Sequence, residues 1–599
     1  MRNKAVEKWI EQFNASFASD ESVDLASLFQ EEFFWRDILC ISWSLNTFET
    51  HQEVLGALKQ NKASFPLKIE GYYDVKRVDG VVESFLDITN GIGRGKGYVR
   101  LKRGKAWTLL TTLEELQGYE EKRAERRILG TRHGALKNRQ IWHEVKQAEE
   151  QALGDTEQPY CVVVGGGQAG IMLATRLKKL GVSTIVLEKN KRAGDSWRNR
   201  YRFLTLHDPI WYDHFPYIPF PDDWPIFTPK NKMGDWLEMY TKVMDLNYWT
   251  ESRCSKATFD ESTQHWEVEV IRKGDKLTLR PTQLVFTTGA YGPPKKIPIK
   301  GKKKFKGQIF HSSDYQDGRD FKGKRCVVVG SATSAHDICQ DLWECGAKSV
   351  TMVQRSSSII IKSETLLEYG FGELYSEQAL KNGVTTDKAD LLFASLPYKL
   401  VPDAHREVYR QIYEHDKEFY DQLQESGFKF DFGEDGSGLL MRALRTASGY
   451  YIDVGASELI IQKKIKLKTG ATPERCDEKS LYFDDGSKLA ADVIFFAIGY
   501  YSMDKVIEKL ISKETAEKVG RFWGIGSGIK GDPGPWEGEL RNLWKPTKQA
   551  NLWFHGGNLH LSRFYSKYVA LQIKGRMEQV KMKPVITNKS VNLEGIAEE

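Results

Sequence analysis

The chain has 599 residues, which at roughly 150 residues per domain predicts about four domains or three large ones. Its composition is 40% hydrophobic and 28% charged, with 51 Gly and 19 Pro. This excludes a long disordered chain, a collagen-like chain and a coiled coil. The 87 basic and 81 acidic residues give a net charge of +6. Over this length, that charge gives no electrostatic reason to expect nucleic acid as a main partner.

The apolar segments of the chain are short. Runs such as Cys161 to Val164 and Leu284 to Phe286 have the size of a strand, far below the about 20 residues of a membrane span. Residues 1–8 contain no apolar core of a signal peptide. We therefore expect no membrane span and a cytoplasmic location.

Seven cysteines occur in the chain, and no two of them form a Cys-x-x-Cys pair. An odd number without close pairing argues against a disulfide framework. The missing Cys-x-x-Cys pair excludes a dithiol redox centre of the thioredoxin-reductase kind and a cysteine-rich zinc site. No metal is predicted.

Residues 1–130 differ in pattern from the rest of the chain. Val6, Trp9, Ile10 and Phe13 recur at helical spacing. Four later segments alternate apolar and polar residues, which is typical of antiparallel strands; they are 71–75, 82–88, 97–101 and 106–110. The sequence predicts a small α+β domain over residues 1–130, followed by a charged, solvated linker over residues 131–155.

A pattern of strand, glycine turn, helix and strand occurs twice, beginning at Tyr160 and at Lys324. Two such units predict an α/β fold with two dinucleotide-binding, Rossmann-like domains. We assign residues 156–300 to the first domain and residues 301–490 to the second, with a helical insertion near 363–428. Residues 491–599 are expected to complete the first domain.

The first unit carries a complete G-x-G-x-x-G pattern at Gly165, Gly167 and Gly170, between a buried strand and a helix. The glycines permit the tight turn, the approach of a pyrophosphate to the backbone and the packing of helix on strand. Glu188 ends the next strand, where a carboxylate binds ribose hydroxyls and repels a 2′-phosphate. The first site therefore favours FAD or NAD.

The second unit carries Gly330, Ala332 and Ala335 at the matching positions, and its next strand ends in Arg355. A guanidinium at this place suits a 2′-phosphate, so the second site favours NADPH. The methyl group of Ala332 stands where the pyrophosphate approaches the backbone. Weakened or displaced NADPH binding is one expected consequence.

Residues 155–599 resemble the class B flavin-dependent monooxygenases, most closely the fungal and plant branch that includes the indole-pyruvate monooxygenases. Four motifs carry the resemblance besides the glycine loops. They are E-x5-G-G-x-W as Glu188, Gly194, Asp195 and Trp197, with Asp for the second glycine; the flavin-side segments Leu204 to Pro209 and Pro219 to Pro225; T-G-x4-P as Thr288, Gly289 and Pro294; and A-T-G-Y as Ala497 to Tyr500, with Ile498 for Thr.

The F-x-G-x3-H-x3-Y signature of this family is complete at Phe305, Gly307, His311 and Tyr315. It separates oxygenases from ordinary two-dinucleotide reductases. Baeyer–Villiger enzymes carry Trp at its last position, so Tyr315 favours heteroatom oxygenation or the indole-pyruvate reaction without excluding ester-forming insertion. The resemblance implies that His311 orders the domain junction and acts on the chemistry indirectly.

Residues 1–130 resemble the NTF2-like cone that is often fused to fungal members of the family. Phe34 to Asp37 stand in the matching place. No His–Asp dyad is evident there, and we expect Arg36 and Asp37 to form a structural pair.

The resemblance implies FAD and NADPH as cofactors and a small organic molecule and O₂ as substrates. In this reading NADPH reduces the flavin, and a C4a-(hydro)peroxyflavin then delivers one oxygen atom. The FAD residues are Gly165, Gly167, Gln168, Ala169, Gly170, Glu188, Lys189, Ser196, Trp197, His207 and Gly499, and the NADP residues are Gly330, Ser331, Thr333, Ser334 and Arg355. No catalytic acid or base is predicted, because the cofactor carries the chemistry.

Two alternatives to this monooxygenase remain open. One is a Baeyer–Villiger enzyme, which conversion of a ketone to an ester would identify. The other is a degenerate flavoprotein that acts as a binding protein or an NADPH oxidase, suggested by Asp195, Ala332 and Ile498.

Overall fold

The computed structural model describes residues 3–18, 24–289, 291–526, 532 and 534–585. Its N-terminal part contains three helices and six strands. They are α1 Lys4–Ser16, α2 Leu25–Leu28, β1 Phe29–Ile38, β2 Leu45–Phe48, α3 His51–Gln60, β3 Lys68–Val78, β4 Val81–Asn90, β5 Gly93–Lys102 and β6 Lys105–Leu116.

The six strands form one sheet in the order β2-β1-β6-β5-β4-β3. Strands β1 and β6 run parallel, and the other neighbours run antiparallel. Helix α1 buries Val6, Trp9 and Phe13, which share one helical face because their spacing is three and four residues. The small α+β unit and its four alternating strands are as the sequence predicts.

The expected pair between Arg36 and Asp37 is not formed. Neighbouring residues of a strand point to opposite faces. Arg36 contacts Glu539, with Nε–Oε1 at 2.7 Å, and both side chains are 1% exposed. The Asp37 carboxylate instead accepts from the hydroxyls of Ser42 and Thr111 at 2.7 and 2.6 Å. Arg36 therefore ties the N-terminal unit to the C-terminal part of the chain.

One helix, α4 Trp142–Ala152, follows the N-terminal unit, and all residues of the segment 122–144 are exposed. The elements up to residue 286 are β7 Cys161–Val164, α5 Gln168–Lys179, β8 Thr184–Leu187, α6 Asp195–Arg198, α7 Lys230–Val243, β9 Tyr248–Trp249, β10 Ser252–Asp260, β11 His265–Arg272, β12 Asp275–Leu279 and β13 Gln283–Phe286.

The next elements, up to residue 453, are β14 Gln308–His311, β15 Arg325–Val329, α8 Thr333–Glu344, β16 Ser349–Gln354, β17 Ser358–Lys362, α9 Ser363–Thr365, α10 Glu377–Lys381, α11 Thr386–Ala394, α12 Val401–His415, α13 Lys417–Glu425, β18 Phe430–Asp431, α14 Gly438–Thr446 and β19 Tyr450–Asp453. The chain continues with α15 Ala456–Ile461, β20 Ile465–Thr469, β21 Pro473–Cys476, β22 Ser480–Phe483, β23 Lys488–Ala490, β24 Val493–Phe496, α16 Asp504–Leu510, α17 Lys513–Val519, β25 Leu552–Phe554 and α18 Leu559–Met577.

Two five-stranded parallel sheets form the centre of the molecule, in the orders β25-β13-β7-β8-β9 and β14-β24-β15-β16-β20. Their central strands are buried on both faces, for example β7 and β24, because helices cover both sides of a parallel sheet. This arrangement is that of two Rossmann-like units.

Strand β24 pairs with β14 and β15 and so lies in the second sheet. The assignment of residues 491–599 to the first unit thus differs from the structure at β24. After residue 491, the first strand of the first sheet is β25, which pairs with β13. Helices α9 to α13 occupy the segment where the sequence predicts an insertion.

None of the seven cysteines, all within the described residues, forms a disulfide, as expected from their number and spacing. Among the described residues, no helix combines the length and apolar composition needed to cross a bilayer.

Candidate functional site

The first glycine loop has the geometry of a dinucleotide-binding turn. Gly165 has φ 114°, and a Cβ added there would lie 2.7 Å from the carbonyl oxygen of Thr287. A Cβ at Gly170 would lie 2.0 Å from the carbonyl oxygen of Gly165. At Gly167, by contrast, the nearest atom is Ser196 Oγ at 3.8 Å. Space therefore remains at the N-terminus of α5, where a pyrophosphate binds in such folds.

Glu188 is fixed beneath this loop. Its side chain is buried, and its two oxygens accept hydrogen bonds from the backbone N–H groups of Gly166 and Asn190 at 3.0 and 2.8 Å. The Tyr248 hydroxyl donates to the carbonyl oxygen of Gly166 at 2.6 Å. Each carboxylate oxygen can accept a further bond. The site therefore fits ribose hydroxyls and disfavours a phosphate. Lys189, the next residue, is exposed.

Helix α6 lies beside the first loop and places Trp197 against Gln168. The indole Nε1–H donates to Gln168 Oε1 at 3.3 Å, and Ser196 is exposed at the same edge. Ala169 is buried in the first turn of α5. These side chains border the space beside Gly167.

The change of the second family glycine to Asp195 causes no backbone strain. Gly194 adopts the left-handed conformation, with φ 86°. Asp195 is the first residue of α6, and its carboxylate accepts from the Arg192 N–H at 3.0 Å and from Arg198 Nη1 at 3.1 Å. Asp195 therefore does not argue for a degenerate site.

The second glycine loop repeats the backbone of the first. Gly330 has φ 134°. Ala332 precedes α8 with φ −100° and ψ −175°, and Gly167 precedes α5 with φ −75° and ψ −171°. Alanine adopts this extended conformation without strain. The two loops therefore differ at this position by a methyl group and share the same backbone conformation.

The predicted NADP residues in this loop fall into two groups. The hydroxyls of Ser331 and Thr333 contact the neighbouring small sheet, at Ser358 Oγ (2.9 Å) and the Tyr450 carbonyl oxygen (2.9 Å). Ser334 is exposed in the first turn of α8. Ser334 is thus the hydroxyl that faces outward at the helix N-terminus, while the other two connect the loop to the chain around β17 and β19.

Arg355 is exposed directly after β16, and it forms no ion pair with any described residue. The residue before it, Gln354, is fully buried, and its amide bonds to the backbone of Lys429 at 2.7 and 2.8 Å. The end of the strand is thus fixed while the guanidinium stays available to a ligand.

Two chain segments cross side by side between the sheets. Pro294 pairs with Tyr500, the Gly292 N–H donates to the Tyr501 carbonyl oxygen at 2.8 Å, and the Tyr501 N–H donates to Pro293 at 2.9 Å. The two connections between the Rossmann-like units are therefore bonded to each other.

His311 fixes this crossing. The Ser313 N–H donates to His311 Nδ1 at 3.1 Å, so the neutral ring carries its proton on Nε2 and donates it to the Gly499 carbonyl oxygen at 3.0 Å. The same oxygen accepts from the Lys295 N–H at 3.1 Å. His311 thus bonds the signature segment to the crossing at Gly499.

The other signature residues are also used for packing. Phe305 is buried, and a Cβ added at Gly307 would lie 2.1 Å from the Asp492 carbonyl oxygen. The Tyr315 hydroxyl donates to Asp341 Oδ2 at 2.6 Å, and burial together with that carboxylate raises the Tyr315 pKa far above its usual value. None of these residues is poised as an acid or base.

Sequence reasoning did not single out Asp208, Tyr291 or Tyr450, although Asp208 lies in the predicted flavin-side segment Leu204 to Pro209. Asp208 follows the predicted His207, and burial raises its pKa to about 6, opposed by His207 and the Asn558 amide. Burial, then Tyr291 and Asp208, raises the pKa of Tyr450. Tyr291 and Tyr450 are distant from Asp208 in the chain, so motif spacing could not have linked them to it.

A second missed cluster lies at the start of α18. The Asn558 side chain accepts from the Leu561 N–H at 3.0 Å and donates to the Tyr212 hydroxyl at 3.2 Å. The neighbouring Asp213 is 1% exposed, and its carboxylate has no hydrogen-bond partner among the described residues. Buried polar atoms without partners are those that a ligand or water satisfies. In the sequence, a Gly556-Gly557-Asn558 turn before a helix marks this place.

Asp317, Asp341 and Cys345 are close enough to bind a metal by distance alone. The Arg202 guanidinium contacts both carboxylates, with Nε–Oδ1 of Asp317 at 3.4 Å and Nη2–Oδ1 of Asp341 at 2.9 Å. A cation already lies at this place, so we assign no metal to it.

The comparison with known proteins agrees with these features. The family model "Pyridine nucleotide-disulphide oxidoreductase" matches residues 162–419. The probable indole-3-pyruvate monooxygenase YUCCA10 of Arabidopsis thaliana is 28% identical over 345 residues, which are 57% of this chain and 81% of that protein. The indole-3-pyruvate monooxygenase YUCCA1 of Oryza sativa subsp. japonica is 27% identical over 358 residues, 60% of this chain and 80% of that protein.

Solved structures with a similar backbone fold include OTEMO in complex with FAD and NADP. It matches at a TM-score of 0.49 and 18% sequence identity, and the match covers 71% of this chain and 85% of that one. The flavin-containing monooxygenase from Stenotrophomonas maltophilia matches at a TM-score of 0.46 and 14% sequence identity, and the match covers 70% of this chain and 99% of that one. The curated relatives and the family model confirm the predicted resemblance to class B flavin-dependent monooxygenases.

Proposed function

We propose that this chain, a flavin-dependent monooxygenase by its relatives, uses NADPH and FAD to place one oxygen atom of O₂ on a small organic molecule. The observation that carries the proposal is the opposite charge at two loops of matching backbone. The strand that follows the first loop is succeeded by the buried carboxylate of Glu188. The strand that follows the second loop is succeeded by the exposed guanidinium of Arg355, which has no ion pair among the described residues.

FAD fits the first loop. The open space at Gly167 and the N-terminus of α5 would hold its pyrophosphate, and Glu188 would accept its ribose hydroxyls. The full proposed set is Gly165, Gly167, Gln168, Ala169, Gly170, Glu188, Lys189, Ser196, Trp197, His207 and Gly499.

NADPH fits the second loop. Arg355 would bind its 2′-phosphate, and Ser334 and the first turn of α8 would bind its pyrophosphate. Gly330, Ser331 and Thr333 would shape the turn beneath it, since two of their side chains are bonded to the neighbouring sheet.

Bound FAD, once reduced by NADPH, supplies the reaction with O₂. The polypeptide would position the two cofactors and exclude water from the space between them. The Gly499 carbonyl oxygen, held by His311 and Lys295, fixes the crossing that sets the two sites against each other. Tyr291 and Tyr500, with ring centroids 5.5 Å apart, stand beside that crossing. We assign no residue as the acid or base of the reaction.

Heteroatom oxygenation and oxidation of a 2-oxo acid are the favoured reactions. Two observations support them: relatives named indole-3-pyruvate monooxygenases, and Tyr315 at the end of the signature. The Baeyer–Villiger reaction is the alternative, and conversion of a ketone to an ester would identify it.

A non-catalytic flavoprotein or an NADPH oxidase is less well supported. Asp195 is unstrained, and the Ala332 backbone follows that of Gly167. Ile498 is partly buried and packs against a hydrophobic core cluster of the second unit.

We further propose that residues 3–116 form an NTF2-like domain. The six-stranded sheet, with α1 and α3 on the same unit, supports this assignment. The buried ion pair between Arg36 and Glu539 indicates that this domain packs against the C-terminal part of the chain. No His–Asp pair is found among its described residues.

Anaerobic mixing of the purified protein with NADPH tests the cofactor assignment. We expect a yellow protein that releases FAD on denaturation and is bleached by NADPH faster than by NADH. A colourless protein that takes up no added FAD would contradict the first site, and equal rates with both nucleotides would contradict the second.

A further inference from the structure

The segment between the N-terminal unit and α4 is unusual in its exposure. All residues from 122 to 144 are exposed, and the stretch before α4 has no regular structure apart from one 3₁₀ turn at Ala124–Arg126. Unstructured connections longer than about 12–15 residues are uncommon in compact proteins and are usually linkers or functional segments. This segment therefore calls for an explanation beyond the joining of two domains.

The composition of the segment differs from that of a passive linker. Six large apolar side chains are exposed within residues 119–142: Tyr119 (38%), Ile128 (57%), Leu129 (90%), Leu136 (52%), Ile141 (58%) and Trp142 (46%). They are six of the 15 large apolar side chains exposed in the described part of the chain. Passive linkers are poor in aliphatic and aromatic residues, because they have nothing to bury them against.

Basic side chains alternate with these apolar ones. Residues 119–142 contain three acidic residues, Glu120, Glu121 and Glu125, and seven basic ones: Lys122, Arg123, Arg126, Arg127, Arg132, Lys137 and Arg139. Arg123 and Arg126 contact Glu115. The other five form no ion pair among the described residues. The segment thus carries a net charge of +4, against +6 for the whole chain.

We propose that residues 119–142 are a membrane-binding segment that docks on an anionic lipid surface without crossing it. Aliphatic and indole side chains partition into the boundary between headgroups and acyl chains. Lysine and arginine side chains bind the phosphate and carboxylate groups of anionic lipids. Both demands are met within one exposed segment that is long enough to lie along a bilayer.

Two other binding partners, a second copy of the chain and single-stranded nucleic acid, fit this segment less well than a lipid surface does. A second copy of the chain would need a complementary apolar surface, but the nine remaining exposed apolar side chains of the described residues are dispersed from Leu55 to Met577. Single-stranded nucleic acid is bound chiefly by stacking on successive aromatic side chains, but the two large aromatic rings of the segment, Tyr119 and Trp142, stand at its opposite ends.

Sedimentation of the full-length protein with lipid vesicles tests the proposal. The vesicles are phosphatidylcholine alone or phosphatidylcholine with about 30% phosphatidylserine, at about 50 mM and about 300 mM salt. We expect binding to the anionic vesicles, little binding to the neutral ones, and weaker binding at the higher salt. We also expect the anionic vesicles to slow tryptic cleavage after Arg127 and Arg132.

Two triple variants separate the contributions. Ile128→Ser/Leu129→Ser/Leu136→Ser removes apolar groups, and Arg127→Gln/Arg132→Gln/Arg139→Gln removes charge; each should weaken vesicle binding at least about tenfold. Arg406→Gln/Arg410→Gln/Lys417→Gln removes the same charge from exposed positions of α12 and α13 and should leave binding unchanged. The flavin content of each variant is measured alongside. A variant that keeps its flavin but loses vesicle binding is folded, and its defect then lies in the segment and not in the cofactor sites.

Wild-type protein that ignores anionic vesicles, or triple variants that bind them like wild type, would overturn the proposal. So would a self-associated protein that the apolar triple variant converts to monomer, because that result assigns the segment to a second copy. Binding to a single-stranded oligonucleotide in preference to anionic vesicles would overturn it as well.

Discussion

The Tyr315 hydroxyl donates to Asp341 Oδ2 at 2.6 Å, and it thereby joins the end of the family signature to helix α8 of the second unit. Arg202, from the first unit, binds the other oxygen of the same carboxylate at 2.9 Å. One buried carboxylate thus holds three segments that meet between the two dinucleotide sites.

Replacing Tyr315 with Phe should destabilise the protein by about 1–3 kcal/mol, because the buried carboxylate of Asp341 loses a donor. Denaturant unfolding followed by circular dichroism measures the change. Tyr413→Phe is the matched control, since the Tyr413 hydroxyl has no hydrogen-bond partner among the described residues. Equal stability of Tyr315→Phe and the control would show that the bond to Asp341 is unimportant for the fold.

Gly167→Val should abolish flavin binding while the protein still folds. The position has negative φ and no protein atom within 3.8 Å of an added Cβ, so the side chain enters the space proposed for the pyrophosphate. The absorbance of the purified protein gives its flavin content. Gly56→Val, at an exposed glycine with open surroundings, should retain the flavin. Full flavin content in Gly167→Val would refute the assignment of the first site.

Arg355→Ala should weaken NADPH binding about 10- to 150-fold, since a charge-assisted contact to a phosphate contributes roughly 1.5–3 kcal/mol. NADH lacks the 2′-phosphate, so its kcat/KM should hardly change. The exposed Arg253 supplies the control variant Arg253→Ala. Equal losses for both nucleotides would mean that Arg355 is structural and that the phosphate is bound elsewhere.

Acid should weaken the second unit through His336. This side chain is fully buried, stacks on Tyr451 with ring centroids 4.0 Å apart, and has its pKa lowered by burial from 6.5 to about 4. Protonation therefore favours the unfolded state: the stabilisation is complete above pH about 6.5 and is lost as the pH falls towards 4.

His336→Phe keeps an aromatic ring against Tyr451 and removes this titration. The difference in unfolding free energy between wild type and variant should shift by about 2 kcal/mol from pH 8 to pH 5, in favour of the variant. Denaturant unfolding at the two pH values measures it. A difference that stays constant with pH would show that His336 is not a titrating group of the folded state.

Local sequence predicted the parts of the molecule that depend on local geometry. The glycine loops at Gly165 and Gly330 need positive φ, and glycine is the residue that supplies it cheaply. The strands around them are continuous apolar runs because both faces of the sheets are covered. Both dinucleotide units could therefore be found without a structure.

Contacts between distant segments could not be predicted in this way. Strand β24 lies in the second sheet because it pairs with β14 and β15. The sequence of a buried strand does not indicate which strands it pairs with. Arg36 binds Glu539 across about 500 residues of chain, where adjacency had suggested Asp37. The effect of Asp208 on the pKa of Tyr450 likewise joins segments about 240 residues apart in the chain.

The proposed activity is the transfer of one atom of O₂ to an organic substrate at the expense of NADPH. Turnover under isotopically labelled dioxygen, with amines, thioethers, ketones and 2-oxo acids as candidate substrates, tests it most directly. We expect one NADPH and one O₂ to be consumed per product, one labelled oxygen atom in the oxidised product, and little hydrogen peroxide. Recovery of all the consumed O₂ as peroxide, with unlabelled substrates in every case, would contradict it and identify an NADPH oxidase.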